Sequence, residues 1–85
     1  MGTRIDTDKL MGRALNLSSD AGDYAVRHPV NTLDYRMGEA LRLEADELYH
    51  ALDCGGLQPF PRELTAYASR VNRAEAMLSA LRWES

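Results

Sequence analysis

TLDYRMGEALRLEADELYHALD, residues 32–53, is the stretch whose reading decides the fold. Leu33, Met37, Ala40, Leu41, Ala45, Leu48, Ala51 and Leu52 recur at spacings of three and four, which gathers them on one side of a helix. Such an amphipathic helix needs an apolar partner. Asn31 or Thr32 can cap its start, Asp34 suits the positive end of its dipole, and Gly55-Gly56 supplies the left-handed residue that commonly closes a helix.

Toward the C-terminus, Leu57-Gln58-Pro59-Phe60-Pro61 is short and proline-rich and reads as a stiff connection, with Pro61 tolerable at the first position of the next helix. A second periodic segment runs from about Arg62 to Arg82 and carries Leu64, Tyr67, Val71, Ala74, Leu78 and Leu81. Two long helices on a short connection predict an antiparallel hairpin, each arm roughly 30 Å long at about 1.5 Å per residue. Toward the N-terminus, Thr7 can cap a helix bearing Leu10, Ala14 and Leu17. Ser18-Ser19-Asp20 suits a break or a new cap better than a helix interior, so a separate short turn is expected to carry Ala21, Tyr24 and Ala25. Pro29 ends whatever precedes it, because the residue before a proline is pushed out of the helical region. The expected fold class is all-α: a short N-terminal helix and loop over 1–30, a first hairpin helix over 31–54 and a second over 61–83, in one domain.

At 85 residues the chain holds a single small core, and domains of that size are marginal alone, so self-association is expected. A net charge of −3 with interleaved signs gives no basic field for duplex nucleic acid. A lone cysteine, Cys54, forms no internal disulfide, and two separated histidines offer no metal-ligand spacing. The start lacks the apolar core of a signal peptide, and no apolar run reaches the roughly 20 residues of a membrane span, which together predict a cytoplasmic protein.

Nothing in the sequence assembles a catalytic site. Nucleophilic catalysis needs a Ser, Cys or Thr beside an oriented base; Cys54 falls at a helix C-terminus, where the dipole disfavours a thiolate, and His50 follows Asp46 at a spacing that normally gives only a weak surface contact. Glu44 is the misfit of the core stripe. A carboxylate there needs a partner, either an arginine from the other arm or a ligand. Ala66, Ser69, Ala76 and Ala80, with Arg73 among them, make a second face on the last helix that reflects either the helix preference of alanine or a site of close self-association.

The segment from Tyr24 to Thr32 leads straight into the long helix. A helix N-terminus offers unpaired N–H groups and a positive dipole end that favour phosphate. Arg27 adds a charged fork of donors, His28 a donor that strengthens on protonation, and Asn31 and Thr32 neutral hydrogen bonds. Tyr24 and Tyr35 flank it as faces for stacking bases. Asp34 opposes phosphate. The alternative is an ordinary capped loop with both tyrosines packed into the core.

His28-Pro29, Gly38-Glu39-Ala40-Leu41-Arg42, Ala45, Glu47-Leu48, Pro61-Arg62-Glu63, Ala66 and the stretch from Ala74 to Ala80 together resemble the phage anti-CBASS sponges. Those are small helical-hairpin proteins that sequester the cyclic oligonucleotide messengers of bacterial immunity. The pattern departs from the family in having Arg27 where a tyrosine usually precedes His-Pro, Val30 where a second proline stands, and Gly38 where an aromatic precedes Glu-Ala-Leu-Arg. The resemblance implies a homo-oligomer that binds cyclic dinucleotides or trinucleotides between protomers without cleaving them and needs no cofactor. Arg27, His28 and Asn31 would then meet phosphates, Tyr24 and Tyr35 bases, with Arg36 as a second cation and Thr32 as a neutral donor. The competing expectation is a protein-binding module, a phage inhibitor, chaperone or antitoxin, that presents Leu43, Tyr49, Met77 and Trp83 to a partner.

Overall fold

The computed structural model describes residues 6–53 and 61–84. Among these, the chain forms three helices and no strand: α1, Thr7–Val26; α2, Leu33–Leu52; and α3, Pro61–Glu84. The all-helical class follows from the apolar periodicity. The expected C-cap at Gly55-Gly56, the proline-rich connection and Cys54 lie outside the described residues.

Two features of α1 differ from expectation. It is one continuous helix of 20 residues, as long as α2, and not a short helix followed by a break. The hydroxyl of Ser18, which locally favours leaving the helix, instead donates across to Asp46 Oδ1 on α2. A tertiary hydrogen bond thus satisfies the group that would otherwise compete for the backbone. The N-cap is also one residue earlier: the Asp6 carboxylate accepts from the backbone N–H groups of Asp8 at 3.0 Å and Lys9 at 3.3 Å, the usual role of an aspartate in that position. At α2 the cap is Thr32, whose hydroxyl accepts from Tyr35 N–H at 3.3 Å and donates to Pro29 O at 2.7 Å.

The core forms in two adjoining clusters. Leu10 and Ala14 near the start of α1 pack with Leu48 and Leu52 near the end of α2 and with Val71, joined by Leu64 and Tyr67 from the first half of α3. Leu17, Ala21 and Tyr24 pack with Leu41, Ala45, Ala74 and Leu78, joined by Leu81. This pairing of ends runs α2 opposite to α1 and α3 opposite to α2. The most extensive interface is that of α1 with α2, and α3 contacts each of them less. Small residues make the close packing possible: Ala14, Ala21, Ala25 and Ala45 are fully buried, and Gly38 is buried on α2.

Polar clasps hold each pair of helices at the rim of the core. Ser18 and Asp46 join α1 to α2, and Arg42 adds a salt bridge to Asp46 at 3.1 Å while gripping Glu39. Asp46 is therefore engaged with Ser18 and Arg42, while the His50 ring stands edge-on to Tyr49. Arg13 reaches from α1 to Asn72 and Glu75 on α3.

Glu44 is held by a two-pronged contact from Arg70 on α3, with Nε to Oε2 at 3.1 Å and Nη2 to Oε1, so the misfit in the stripe is an edge residue with an arginine partner. The hydrogen bond from Arg70 holds the Glu44 carboxyl below its ordinary value of 4.5. A carboxyl depressed in the folded state stabilises above its unfolded value, and the contribution fades as pH falls through the folded value. Both side chains are more than a third exposed or close to it, at 38% for Arg70 and 34% for Glu44, so solvent limits the pair to about 1 kcal/mol or less. Glu44→Gln is expected to lower stability by that amount at neutral pH and by progressively less in acid, as read from denaturant melts across pH. A constant difference down to the most acid point would show that the ion pair is not its source.

Candidate ligand-binding site

The segment between α1 and α2 is built by three local devices. Pro29 stops α1, and Arg27 closes it as the C-cap with its N–H on Tyr24 O at 3.3 Å. Thr32 N–H turns back onto Pro29 O at 3.0 Å before its side chain caps α2. His28 folds onto the end of α1: its Nδ1 lies 2.9 Å from Tyr24 O, and its ring rests on the Tyr24 ring with centroids 4.5 Å apart. Because a carbonyl only accepts, that contact puts the hydrogen on Nδ1 and leaves Nε2 toward Asp34 Oδ2 at 3.9 Å, too long for a hydrogen bond.

Arg27, His28 and Tyr24 line one open recess of about 430 Å³ together with Asp20, Asp23 and Arg82. The volume lies within the roughly 300–1,000 Å³ of small-molecule sites. A second recess of about 330 Å³ continues between α1 and α3, with Asn16 and Ser79 on its walls, and the two share Asp20 and Arg82. The result is a trough along α1 and α3.

The expected site residues therefore divide. Arg27 and His28 come together as anticipated and face the same recess. Tyr24 does not offer a stacking face: it is 5% exposed, its hydroxyl donates to Asp34 Oδ1 at 3.0 Å, and His28 covers its ring. Asn31 and Arg36 are exposed and Tyr35 is half-buried, but none of the three lines the trough. The Thr32 hydroxyl is occupied by its cap and by Pro29. The helix N-terminus of α2 is likewise poorly suited to an anion, because Thr32 takes the Tyr35 N–H and Asp34 sits in the first turn. Of the residues expected around the start of α2, only Tyr24, Arg27 and His28 border the trough, which runs along the last turns of α1 and the end of α3.

Sequence reading missed Asp20, Asp23 and Arg82. The spacing of Asp20, Asp23, Tyr24 and Arg27 at three, four and seven residues was a usable sign of a shared face, and it was hidden by the supposed break at Ser18-Ser19-Asp20. Chemically, the trough gathers the guanidiniums of Arg27 and Arg82 and the carboxylates of Asp20 and Asp23 around His28, with the Arg13–Glu75 pair beyond them. Its six residues around His28 include no Ser, Thr or Cys nucleophile, and among the described residues no group of three His, Cys, Asp or Glu stands close enough to hold a metal ion. None of the described helices is long and apolar enough to cross a membrane. In comparisons with known proteins, no family model, no curated protein and no solved structure matches the chain.

Proposed function

We propose that this chain is a non-catalytic binding protein that sequesters cyclic dinucleotide or trinucleotide second messengers, a phage-type sponge against bacterial immune signalling. The observation that carries this reading is the convergence of Arg27, His28 and Arg82 on one open recess beside the end of α1, where guanidinium forks suit phosphate oxygens. The pattern of His28-Pro29 and of the residues along α2 and α3 supports it through the likeness to the sponge family. The hairpin of α2 and α3 then pairs with neighbouring copies in a homo-oligomer, which closes the open side of the recess, in the cytoplasm of the bacterial host.

Such a protein works by mass action. Messenger bound more tightly than its effector binds it cannot activate that effector, so abundance counts as much as affinity. The decisive experiment mixes the purified chain with a panel of cyclic dinucleotides and trinucleotides, follows the melt, and recovers the nucleotides afterwards. A ligand at 100 times its dissociation constant adds about 2.7 kcal/mol to stability. One or more members should raise the melting temperature and be recovered intact, and Arg27→Ala should remove the shift without changing the melt of the free protein. Absence of any shift across the panel would reject the sponge reading.

A second reading is favoured by one observation. Val26, Val30 and Leu33 are 76%, 71% and 71% exposed around the turn between α1 and α2, an apolar tip of the kind that protein partners cover. Leu43, Met77 and Trp83 are exposed, as an anchor must be, whereas Tyr49 is partly buried against the core. A protein-binding module would show no nucleotide-dependent shift.

A further inference from the structure

The contact faces of this molecule pair their charges: Arg13 with Glu75, Arg42 with Glu39 and Asp46, Arg70 with Glu44. The recess around His28 differs, although the Arg13–Glu75 pair lines the recess that continues from it. Asp20, Asp23 and Arg27 share its wall on α1, yet among the described residues none of the three takes part in an ion pair within 4 Å. Carboxylates left open beside an open guanidinium suit a guest that carries both negative charge and N–H donors. A purely anionic guest would be repelled by them, and a purely cationic one by the arginine.

Nucleotides carry both groups, and their bases differ in the edge they turn to a carboxylate. Guanine presents N1–H and the N2 amino group side by side, two parallel donors that match the two oxygens of one carboxylate. Adenine puts an acceptor, N1, next to its amino group, so a carboxylate there meets a lone pair. Uracil has a single N–H between two carbonyls, and cytosine a single amino group beside an acceptor. Carboxylates accept from base amino groups in the same way when aspartate or glutamate reads cytosine N4 in duplex DNA. Sites built to hydrogen-bond a particular group also reject analogues that lack it, because their own polar atoms are then left unpaired.

We propose that Asp20 and Asp23 make the trough selective for guanine-bearing cyclic nucleotides, with one carboxylate accepting from the base edge while Arg27 engages the phosphate. This assignment rests on the nucleotide-binding reading above and adds to it the identity of the base. The recess that continues past Asp20 and Arg82 toward Asn16 and Ser79 gives the second nucleotide of a cyclic pair a place along the same wall.

The test titrates the full chain by calorimetry with cyclic di-GMP, cyclic di-AMP and cyclic GMP-AMP, in the natural sequence and in Asp20→Asn, Asp23→Asn and the double variant. The natural chain should bind a guanine-containing ring at least tenfold more tightly than cyclic di-AMP. The asparagine variants, whose melts should match the natural chain because both positions are exposed, should weaken guanine binding and leave the adenine ring unchanged or tighter. Equal affinity for the guanine and adenine rings in the natural chain would overturn the base assignment while leaving the binding reading intact. A uniform gain for every ring in the variants would overturn it too, because the carboxylates would then only repel phosphate. Binding of no ring at all would end both.

Discussion

Replacing Leu48 by alanine is expected to remove about 3 kcal/mol of stability, the middle of the range for truncating a fully buried leucine. Leu48 is 0% exposed and sits where all three helices meet, among Leu10, Ala14, Leu52 and Val71. The loss combines the transfer energy of the deleted methyl groups with a cavity that helices crossing on alanines cannot easily close. For a domain with a total stability of roughly 5–15 kcal/mol this is a large fraction, and at about 4–8 °C per kcal/mol the melting temperature should fall by well over 10 °C. Leu43→Ala on the same helix is the control. Leu43 is 57% exposed, and a surface truncation of that kind should stay within about 0.5 kcal/mol. Thermal and denaturant melts of the two variants decide the matter, and similar losses for both would mean that α2 does not bury the face assigned to it.

The second large effect is at Gly38. A Cβ at this position would lie 2.9 Å from Ala25 Cβ, 3.0 Å from Ala25 Cα and 3.0 Å from Tyr24 Cδ1. Two of these neighbours are the backbone and the single methyl of a buried alanine, so α1 itself would have to move. Gly38→Ala should therefore destabilise by on the order of 1 kcal/mol, an overpacking cost of about 1–3 kcal/mol partly offset by alanine's helix preference of about 1 kcal/mol. Gly38→Phe should cost about 3 kcal/mol or more. Gly12→Ala should have the opposite sign and stabilise by up to about 1 kcal/mol, because nothing lies within 4 Å of its missing Cβ and only the helix preference acts. Melts of the three variants under one condition test the close approach of α1 and α2. A stabilising Gly38→Ala would show that the two helices stand further apart than described.

Gly38 also explains a feature that the sequence displayed without its reason. Tyr24 from α1 brings its ring against that point of α2, which leaves no room there for a side chain. The same contact holds the Tyr24 ring against the core, while the residue still lines the recess beside Arg27 and His28. Local reading located both ends of α2 well, since Thr32 and the periodicity up to Leu52 are properties of the segment itself. It misjudged α1 because Ser18 finds its partner on another helix, 28 residues further along the chain, and no local rule contains that information. The trough was legible in part for the same reason. Arg27 and His28 are neighbours in sequence and could be read together, whereas Arg82 joins them only when α3 folds back along α1.

The unequal grip among the three helices bears on what an occupied trough would do. One bank is α1, which packs most extensively on α2, and the other is α3, which makes the smaller interface with each of them. A guest bridging Asp20 and Arg82 would tie α3 to α1. Capture would then be felt as a stiffening of α3 against α1.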